Sequence, residues 1–236
     1  GINNTIYATA EDELRPVMNG IFFDITPDST TLVATDSHKL VCYTRTDIKS
    51  AEKCSFILPK KPAAILRTLL PKIEDEVKIT FDTKNAYFEF EGNVLICRLQ
   101  EGNYPAYRSV IPKNNPNKLT IERTLLHNAV KRVAVCSNQS TLHIKLSLSH
   151  NKLVISASDT NFSMSAHETL NCSYEGDDMF IGFKASFLAD ILNNLPCEEV
   201  TIELSDPARA GLILPAGEKN PDEEICSLLM PIRIPA

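Results

Sequence analysis

The sequence predicts an α+β fold of two tandem domains, each with two helices packed on antiparallel β-sheet. An internal repeat is the first observation, because residues 34–36 and 157–159 both end a strand-like run and 157 minus 34 gives an offset of 123 residues. Residues 77–81 and 200–204, two further alternating segments, keep that offset. The second observation is that leucine-rich segments with helical spacing precede segments with strand spacing in each copy.

The boundary between the two copies is predicted in a segment rich in proline and asparagine. Pro105, Pro112 and Pro116 lie there among four asparagines, a composition that disfavours regular structure. We therefore expect one domain over residues 1–106 and a second over residues 107–236.

Three helices are predicted from apolar residues that recur at positions i, i+1, i+4, i+5 and i+8. These helices span residues 65–73, 125–133 and 187–195.

Two hairpins are predicted from alternating or continuous apolar runs that flank short polar turns. One spans residues 142–155 with its turn at 149–151, and the other spans residues 76–90 with its turn at 82–85.

Composition and charge exclude several classes of protein. No segment approaches the roughly 20 apolar residues of a membrane span, and the N-terminus shows no signal peptide, so we expect a cytoplasmic protein. The seven cysteines are odd in number, scattered and without a C-x-x-C pair, which predicts reduced thiols. A net charge of −6 argues against general attraction to nucleic acid, although a local basic surface stays open.

No residue pattern predicts catalysis or a bound cofactor. Asp36, Ser37 and His38 have the residue types of a hydrolytic triad, but neighbours in an extended or turning segment point in different directions and cannot relay a proton. The five histidines show no zinc-ligand spacing, and no glycine-rich loop is present to hold a nucleotide phosphate. We expect no catalytic residue, no metal and no cofactor.

Charge is segregated between the helices and the rest of the chain. Acidic residues concentrate in strands and loops such as 89–91, 177–178 and 222–224, whereas basic residues surround two of the predicted helices. Ordinary solvated helix faces would also explain this pattern. The basic residues are Lys60, Lys61, Arg67, Lys72, Arg123, Lys131 and Arg132.

Four segments resemble signature segments of a known family. They are 15–20 (RPVMNG), 33–40 (VATDSHKL), 104–112 (YPAYRSVIP) and 229–234 (LMPIRI). Their order and separations are similar to those of the bacterial DNA sliding clamps, the beta subunits of replicative DNA polymerase III. The resemblance is to the middle and C-terminal domains of a three-domain family, so we expect the family's N-terminal domain to be absent here.

The resemblance implies the sliding-clamp fold and a non-catalytic role as a DNA polymerase processivity factor. Family members close head to tail into a dimeric ring, with helices lining the hole around duplex DNA and acidic sheets outside. Attraction to phosphate is independent of sequence, so such a ring can slide. A fragment without the first domain is expected to be monomeric. The residues expected to face DNA are Arg15, Lys60, Lys61, Arg123, Lys131 and Arg132.

A second implied feature is a pocket between the two domains that receives short linear peptides from polymerases, the clamp loader and repair proteins. Methionines and aliphatic side chains would let one surface fit several related peptides. At its rim, His38, Lys39 and Arg233 are expected to meet polar or carboxylate groups. The expected pocket residues are Met18, Thr35, Ser37, His38, Lys39, Leu40, Pro105, Val110, Lys184, Phe187, Leu228, Met230, Pro231, Ile232 and Arg233.

The chain departs from the family pattern at several positions. Ser37 stands where glycine is usual, and Lys39 where arginine is frequent. Ser109 replaces an expected arginine, and Lys184 a smaller polar residue. Phe187 replaces a frequent tyrosine, which removes a hydroxyl hydrogen bond but keeps the ring. We expect local changes in pocket shape and none in the fold.

Two other functions stay open at this point. A two-domain chain of this length could be a complete subunit of the archaeal or eukaryotic trimeric clamps, but the four segments are similar to the three-domain bacterial kind. An unrelated hydrolase that uses a cysteine or serine would be revealed by turnover of generic ester or phosphate substrates.

Overall fold

The computed structural model describes residues 1–218 and 220–234, which are divided between two compact units. Unit 1 contains Gly1–Tyr107 and Asn220–Glu224, and unit 2 contains Arg108–Lys219 and Ile225–Ala236. Among the described residues, no helix is long and apolar enough to cross a membrane.

Unit 1 packs its helices against an antiparallel sheet. Its helices are α1 (Ile2–Thr5) and α2 (Lys60–Leu69). Its strands are β1 (Gly20–Ile25), β2 (Thr30–Thr35), β3 (Lys39–Arg45), β4 (Cys54–Pro59), β5 (Lys78–Phe81), β6 (Asn85–Phe90) and β7 (Asn93–Arg98). β4, β1, β2 and β3 lie side by side in that order, and β5, β6 and β7 form a separate antiparallel meander.

Unit 2 has two helices, α3 (Arg123–Ala134) and α4 (Ala185–Asn194). Its strands are β8 (Asn117–Glu122), β9 (His143–Ser149), β10 (Lys152–Asp159), β11 (Met164–Asn171), β12 (Ser173–Glu175), β13 (Met179–Lys184), β14 (Glu199–Leu204), β15 (Gly211–Pro215) and β16 (Glu223–Leu229). One sheet has the order β13, β9, β10, β11, and the other strands lie in the order β12, β8, β14, β15, β16.

The two units repeat one arrangement of strands. β1, β2 and β3 correspond to β9, β10 and β11, and β4 corresponds to β13, so the same strand order occurs in both. α2 directly follows β4, as α4 follows β13. Both predicted hairpins are present as the β9–β10 and β5–β6 pairs. The predicted α+β fold of two tandem repeats is confirmed.

The three predicted helices are present, but two of them end earlier than predicted. α2 gives way to a 3₁₀ turn over Leu70–Lys72, because Pro71 has no amide hydrogen to donate and its ring blocks the preceding turn. α4 ends before Leu195, which precedes Pro196 and takes an extended backbone with φ −78° and ψ 126°. Helical periodicity therefore locates these helices, and proline chemistry sets where they end.

One face of each repeated sheet is buried under the helices. Along β9, Ile144, Leu146 and Leu148 are buried, and the residues between them are half-buried. Burying an aliphatic side chain of this size contributes roughly 1.5–3 kcal/mol. In unit 1, Ile21 and Phe23 of β1 occupy the equivalent buried positions. We call the opposite face of each repeated sheet its outer face.

Candidate functional site

The turn between β2 and β3 is held by hydrogen bonds among its own residues. The Asp36 carboxylate accepts hydrogen bonds from the backbone amides of His38 and Lys39, at 2.9 and 2.8 Å. The Thr35 hydroxyl donates to the Lys39 carbonyl at 2.8 Å and accepts from the Ser37 amide at 3.0 Å. Such side-chain bonds stabilise tight turns. They leave Ser37 and His38 exposed at the tip.

Ser37 occupies a backbone conformation that favours glycine. Its φ is 73°, in the left-handed region, which costs a non-glycine residue roughly 1–3 kcal/mol. Its hydroxyl accepts a hydrogen bond from Arg15 Nη1 at 2.9 Å, and Arg15 Nε also pairs with Asp12 at 2.8 Å. The serine that stands where glycine was expected therefore keeps the turn and ties it to Arg15.

Lys39 is buried and does not present its charge at a rim. Its ammonium lies 2.9 Å from Asp36 Oδ2, and its side chain is only 6% exposed. The expectation that Lys39 meets a ligand's polar groups does not fit this geometry, because the charge is already paired inside the turn. Leu40, which pairs with Thr35 across β2 and β3, is also buried.

Met18 and Pro105 are the other expected pocket residues of unit 1. Met18 ends the 3₁₀ turn Pro16–Met18 and is half-buried. Pro105 is half-buried beside Tyr104, whose ring stacks on Phe22 with 4.7 Å between ring centroids. Both segments are thus anchored on the body of unit 1 and present partly exposed apolar groups.

The unit 2 residues expected in the pocket include Lys184 and Phe187, where β13 meets α4. The Lys184 ammonium lies over the Phe187 ring, 4.6 Å from its centroid. Phe187 is half-buried in the first turn of α4. A cation over an aromatic face contributes roughly 0.5–1 kcal/mol at an exposed site. The pair places the positive charge of Lys184 directly beside the apolar ring of Phe187.

The C-terminal segment lies against β13. The Ile232 amide donates to the Gly182 carbonyl at 2.9 Å. A Cβ atom on Gly182 would come within 2.5 Å of Ile234 Cδ1 and 2.8 Å of the Ile232 carbonyl, so this approach requires glycine. Among the other expected unit 2 residues, Leu228 is buried, Pro231 is half-buried, and Val110, Met230 and Arg233 are exposed.

Most of the basic residues expected to face DNA have partners in the protein. Lys60 pairs with Glu11 at 2.7 Å and Arg132 with Glu168 at 2.6 Å. In both pairs the hydrogen bond from the cation lowers the pKa of the carboxyl group. These pairs are at the surface, as is that of Arg15, so they reduce the net charge offered to a ligand and contribute little to stability.

Arg123 has a structural role at the end of α4. Its Nε donates to the Cys197 carbonyl at 2.7 Å and its Nη1 to the Leu192 carbonyl at 2.9 Å. The last carbonyls of a helix lack partners within the helix, so the guanidinium caps α4. By contrast, Lys61 and Lys131 are exposed and form no ion pair with any residue that the structure describes.

Two family descriptions match the chain, one for each unit. Residues 1–106 match the central domain of the DNA polymerase III beta subunit. Residues 108–233 match the C-terminal domain of the same subunit. The chain belongs to the DNA polymerase III beta subunit family. The resemblance inferred from four short segments is thereby confirmed.

Curated relatives in the beta-subunit family carry the name Beta sliding clamp. The relative from Vibrio cholerae is 31% identical over 236 residues, and the one from Haemophilus influenzae is 29% identical over 234 residues. Each comparison covers 99% of this chain and 62% of the relative. The chain therefore spans less than two thirds of the length of the relatives that it matches.

Solved beta subunits share the fold of this chain. The DnaN sliding clamp of Pseudomonas aeruginosa bound to griselimycin has a TM-score of 0.92 at 29% identity and covers 99% of this chain and 62% of its own. The clamp of Bartonella birtlesii bound to griselimycin has a TM-score of 0.89 at 30% identity, covering 99% and 63%. The predicted sliding-clamp fold is confirmed.

Three neighbouring basic residues form a surface that the sequence did not predict, although Lys184 itself was expected in the pocket. Lys184, His143 and Lys145, which we call the basic cluster, lie together on the outer face of unit 2. The alternation in 143–149 (HIKLSLS) separates polar from buried positions, but it does not identify the strand that pairs with this segment. The expectation of acidic outer sheets does not hold for this face.

Proposed function

We propose that this chain is part of a DNA polymerase processivity clamp, in which it binds partner peptides and contributes to a DNA-facing surface. The match of both units to domains of the beta subunit carries this proposal. We further propose that it acts in the cytoplasm through domains 1–106 and 107–236, without catalytic activity, metal or cofactor. In the complete protein it would form the dimeric ring.

The peptide-binding pocket is proposed to consist of the residues expected from the sequence. The rigid turn at the end of β2 supports this, because preorganised walls lower the entropic cost of binding. Lys39 would act there by supporting the turn, while the exposed His38 and Arg233 would be the polar groups at the rim. Burial of two or three large apolar side chains of a peptide is consistent with dissociation constants on the order of micromolar.

The test is titration calorimetry of the chain with a peptide of the pattern Q-L-x-L-F. We expect micromolar binding, weakened roughly fivefold to tenfold by Met230→Ala, which removes about 1 kcal/mol of apolar contact. Ile96→Ala serves as the matched control, since Ile96 is also an exposed apolar residue but is outside the proposed pocket. The absence of heat and of competition at high micromolar peptide would contradict the proposal.

Duplex DNA is proposed to meet the polar faces of α2 and α3. Lys61 and Lys131 would contribute most, because their charges are not paired with described carboxylates. Arg15, Lys60, Arg123 and Arg132 would add less, since each already binds groups of the protein. Exposed charges are screened beyond about 8 Å at physiological salt, so binding should be weak and independent of sequence.

His127 lies on α3, the helix that carries Lys131, and adds no positive charge at neutral pH. Burial lowers the pKa of His127, and Lys131 and Arg123 on α3 lower it further. DNA affinity should therefore depend on salt much more than on pH near neutrality.

Fluorescence anisotropy of a labelled duplex at low salt tests this surface. We expect the double variant Lys61→Glu and Lys131→Glu to lose most of the binding, by roughly tenfold or more. The matched control reverses Lys84 and Lys152, two exposed lysines outside these helices. Peptide affinity should be the same in all three proteins. Equal loss of DNA binding in the control and the test variant would show that the DNA face lies elsewhere.

A further inference from the structure

The outer face of unit 2 is basic, although the chain as a whole is acidic. Alternation along β9, β10, β11 and β13 places every other residue on this face, and the strand pairing fixes which residues are neighbours. Three lysines and two histidines lie there, and no aspartate or glutamate of the described residues does. The basic residues are His143, Lys145, Lys152, His167 and Lys184.

Three of these residues form the basic cluster. Lys184 lies directly opposite His143 across β13 and β9, and Lys145 is two residues farther along β9 on the same face. Residues in these positions are roughly 5–7 Å apart. The carboxylates of Asp177 and Asp178 precede β13, and they are separated from Lys184 by its full length of about 20 Å.

The lysines of the basic cluster lie over aromatic rings. The Lys145 ammonium is 4.4 Å from the centroid of Phe180, and the Lys184 ammonium is 4.6 Å from that of Phe187. Neither lysine forms an ion pair with a residue in the described part of the chain. A ring orients an ammonium without accepting its full set of hydrogen bonds. Both lysines are therefore positioned and still able to donate to an anion.

The position of Phe187 connects the cluster with the proposed pocket. Phe187 is one of the proposed pocket walls, and Lys184 covers its ring. Lys184 therefore lies directly beside any peptide that is seated against Phe187. Same-face side chains of an extended peptide are about 7 Å apart, which matches the spacing within the cluster.

We propose that the basic cluster binds acidic side chains that flank the apolar motif of a partner peptide. The proposal rests on the proposed peptide-binding function and names the class of peptide that this pocket prefers. Single-stranded nucleic acid fits less well, because stacking needs open aromatic faces and the ammonium groups already cover Phe180 and Phe187. A flanking carboxylate requires only the positive charge.

The experiment compares two peptides with the same Q-L-x-L-F motif, one flanked on both sides by aspartates and the other by asparagines. We expect the chain to bind the acidic peptide roughly fivefold more tightly at low salt, with the preference falling as salt rises. Lys145→Gln should reduce the preference about twofold to threefold and leave the asparagine peptide unaffected. Lys152→Gln, on the same face but at the far end of β10, should change neither affinity.

The outcomes separate this proposal from the one on which it rests. Equal affinity of the two peptides for the unmodified chain would overturn the acidic preference and leave the pocket intact. If neither peptide binds, the peptide-binding function fails and this proposal fails with it. If an oligo-dT strand displaces the acidic peptide from the unmodified chain and loses affinity in Lys145→Gln, the cluster is a nucleic-acid site and the proposal is wrong.

Discussion

The outer faces of the two units differ in what covers them. In unit 1, Phe22 stacks on Tyr104, and the buried Asp24 carboxylate accepts a hydrogen bond from the Tyr107 hydroxyl at 2.7 Å. At the equivalent place in unit 2, 123 residues later, Lys145 replaces Phe22 and lies on an open, basic face. The unit 1 face is covered here by aromatic rings of its own chain, whereas the unit 2 face carries exposed or half-buried polar groups, with the C-terminal segment covering Gly182.

This difference shows which parts of the repeat are constrained by folding. The helix-covered faces must stay apolar because they form the core, and Ile21 and Phe23 of β1 are buried like Ile144 and Leu146 of β9. The outer faces have no such common requirement. In unit 1 the segment that follows β7 supplies aromatic cover, so the outer face contributes to stability. In unit 2 the outer face carries charged residues, among them those of the basic cluster.

The largest expected effect is at the pair of equivalent positions Phe22 and Lys145. Phe22→Ala should lower the free energy of unfolding by about 2–3 kcal/mol, because it removes the ring that stacks on Tyr104. Lys145→Ala should change stability by less than about 0.5 kcal/mol. Urea denaturation followed by circular dichroism measures both. Similar losses in the two variants would mean that the outer faces do not differ in their contribution to stability.

A medium effect is expected at Gly182, whose counterpart in β4 is Ile57. Gly182→Ala should cost about 1–3 kcal/mol, because the added Cβ meets Ile234 and the Ile232 carbonyl. It should also weaken peptide binding, since it displaces a segment proposed to form a pocket wall. Ser156→Ala, on the same face, is the control and should have no effect. Unchanged stability and affinity in Gly182→Ala would show that the C-terminal segment is not held at β13.

A smaller effect is expected from the pH dependence of Tyr104. Burial raises the pKa of Tyr104 above its ordinary value near 10, and nearby Cys42 raises it further. A raised pKa contributes stability that is complete below about pH 10 and is lost as the pH increases beyond it. Between pH 8 and pH 11, Tyr104→Phe should therefore lose about 1 kcal/mol less stability than the unmodified chain. Tyr87→Phe is the control, and an equal pH dependence in Tyr104→Phe and the unmodified chain would refute this account.

Sequence periodicity predicts the repeat, the helices and the hairpins, because each depends on local spacing of apolar residues. The helix ends at Pro71 and Pro196 were also open to prediction, since proline acts on its immediate neighbours. The cap that Arg123 supplies to α4 could not be predicted, because it joins residues about 70 positions apart. Such contacts follow from tertiary packing.

The residues of the proposed site come from local motifs, and the structure adds contacts that those motifs do not give. Local motifs do not show that Lys39 forms an ion pair with Asp36 inside the turn, or that Arg132 forms one with Glu168. They also miss the basic cluster, because its members come from two strands whose register sequence alone does not give.

Peptide titration of the ¹⁵N-labelled chain, followed by amide chemical shifts, tests the peptide-binding account most directly. The account predicts that a Q-L-x-L-F peptide perturbs residues of the turn 35–40, the start of α4 and the segment 228–233. A peptide whose motif is flanked by acidic residues should also perturb the amide chemical shifts of His143 and Lys145. The amides on the outer face of unit 1 should be unaffected. Perturbation confined to α2 and α3, or none at millimolar peptide, would contradict the account.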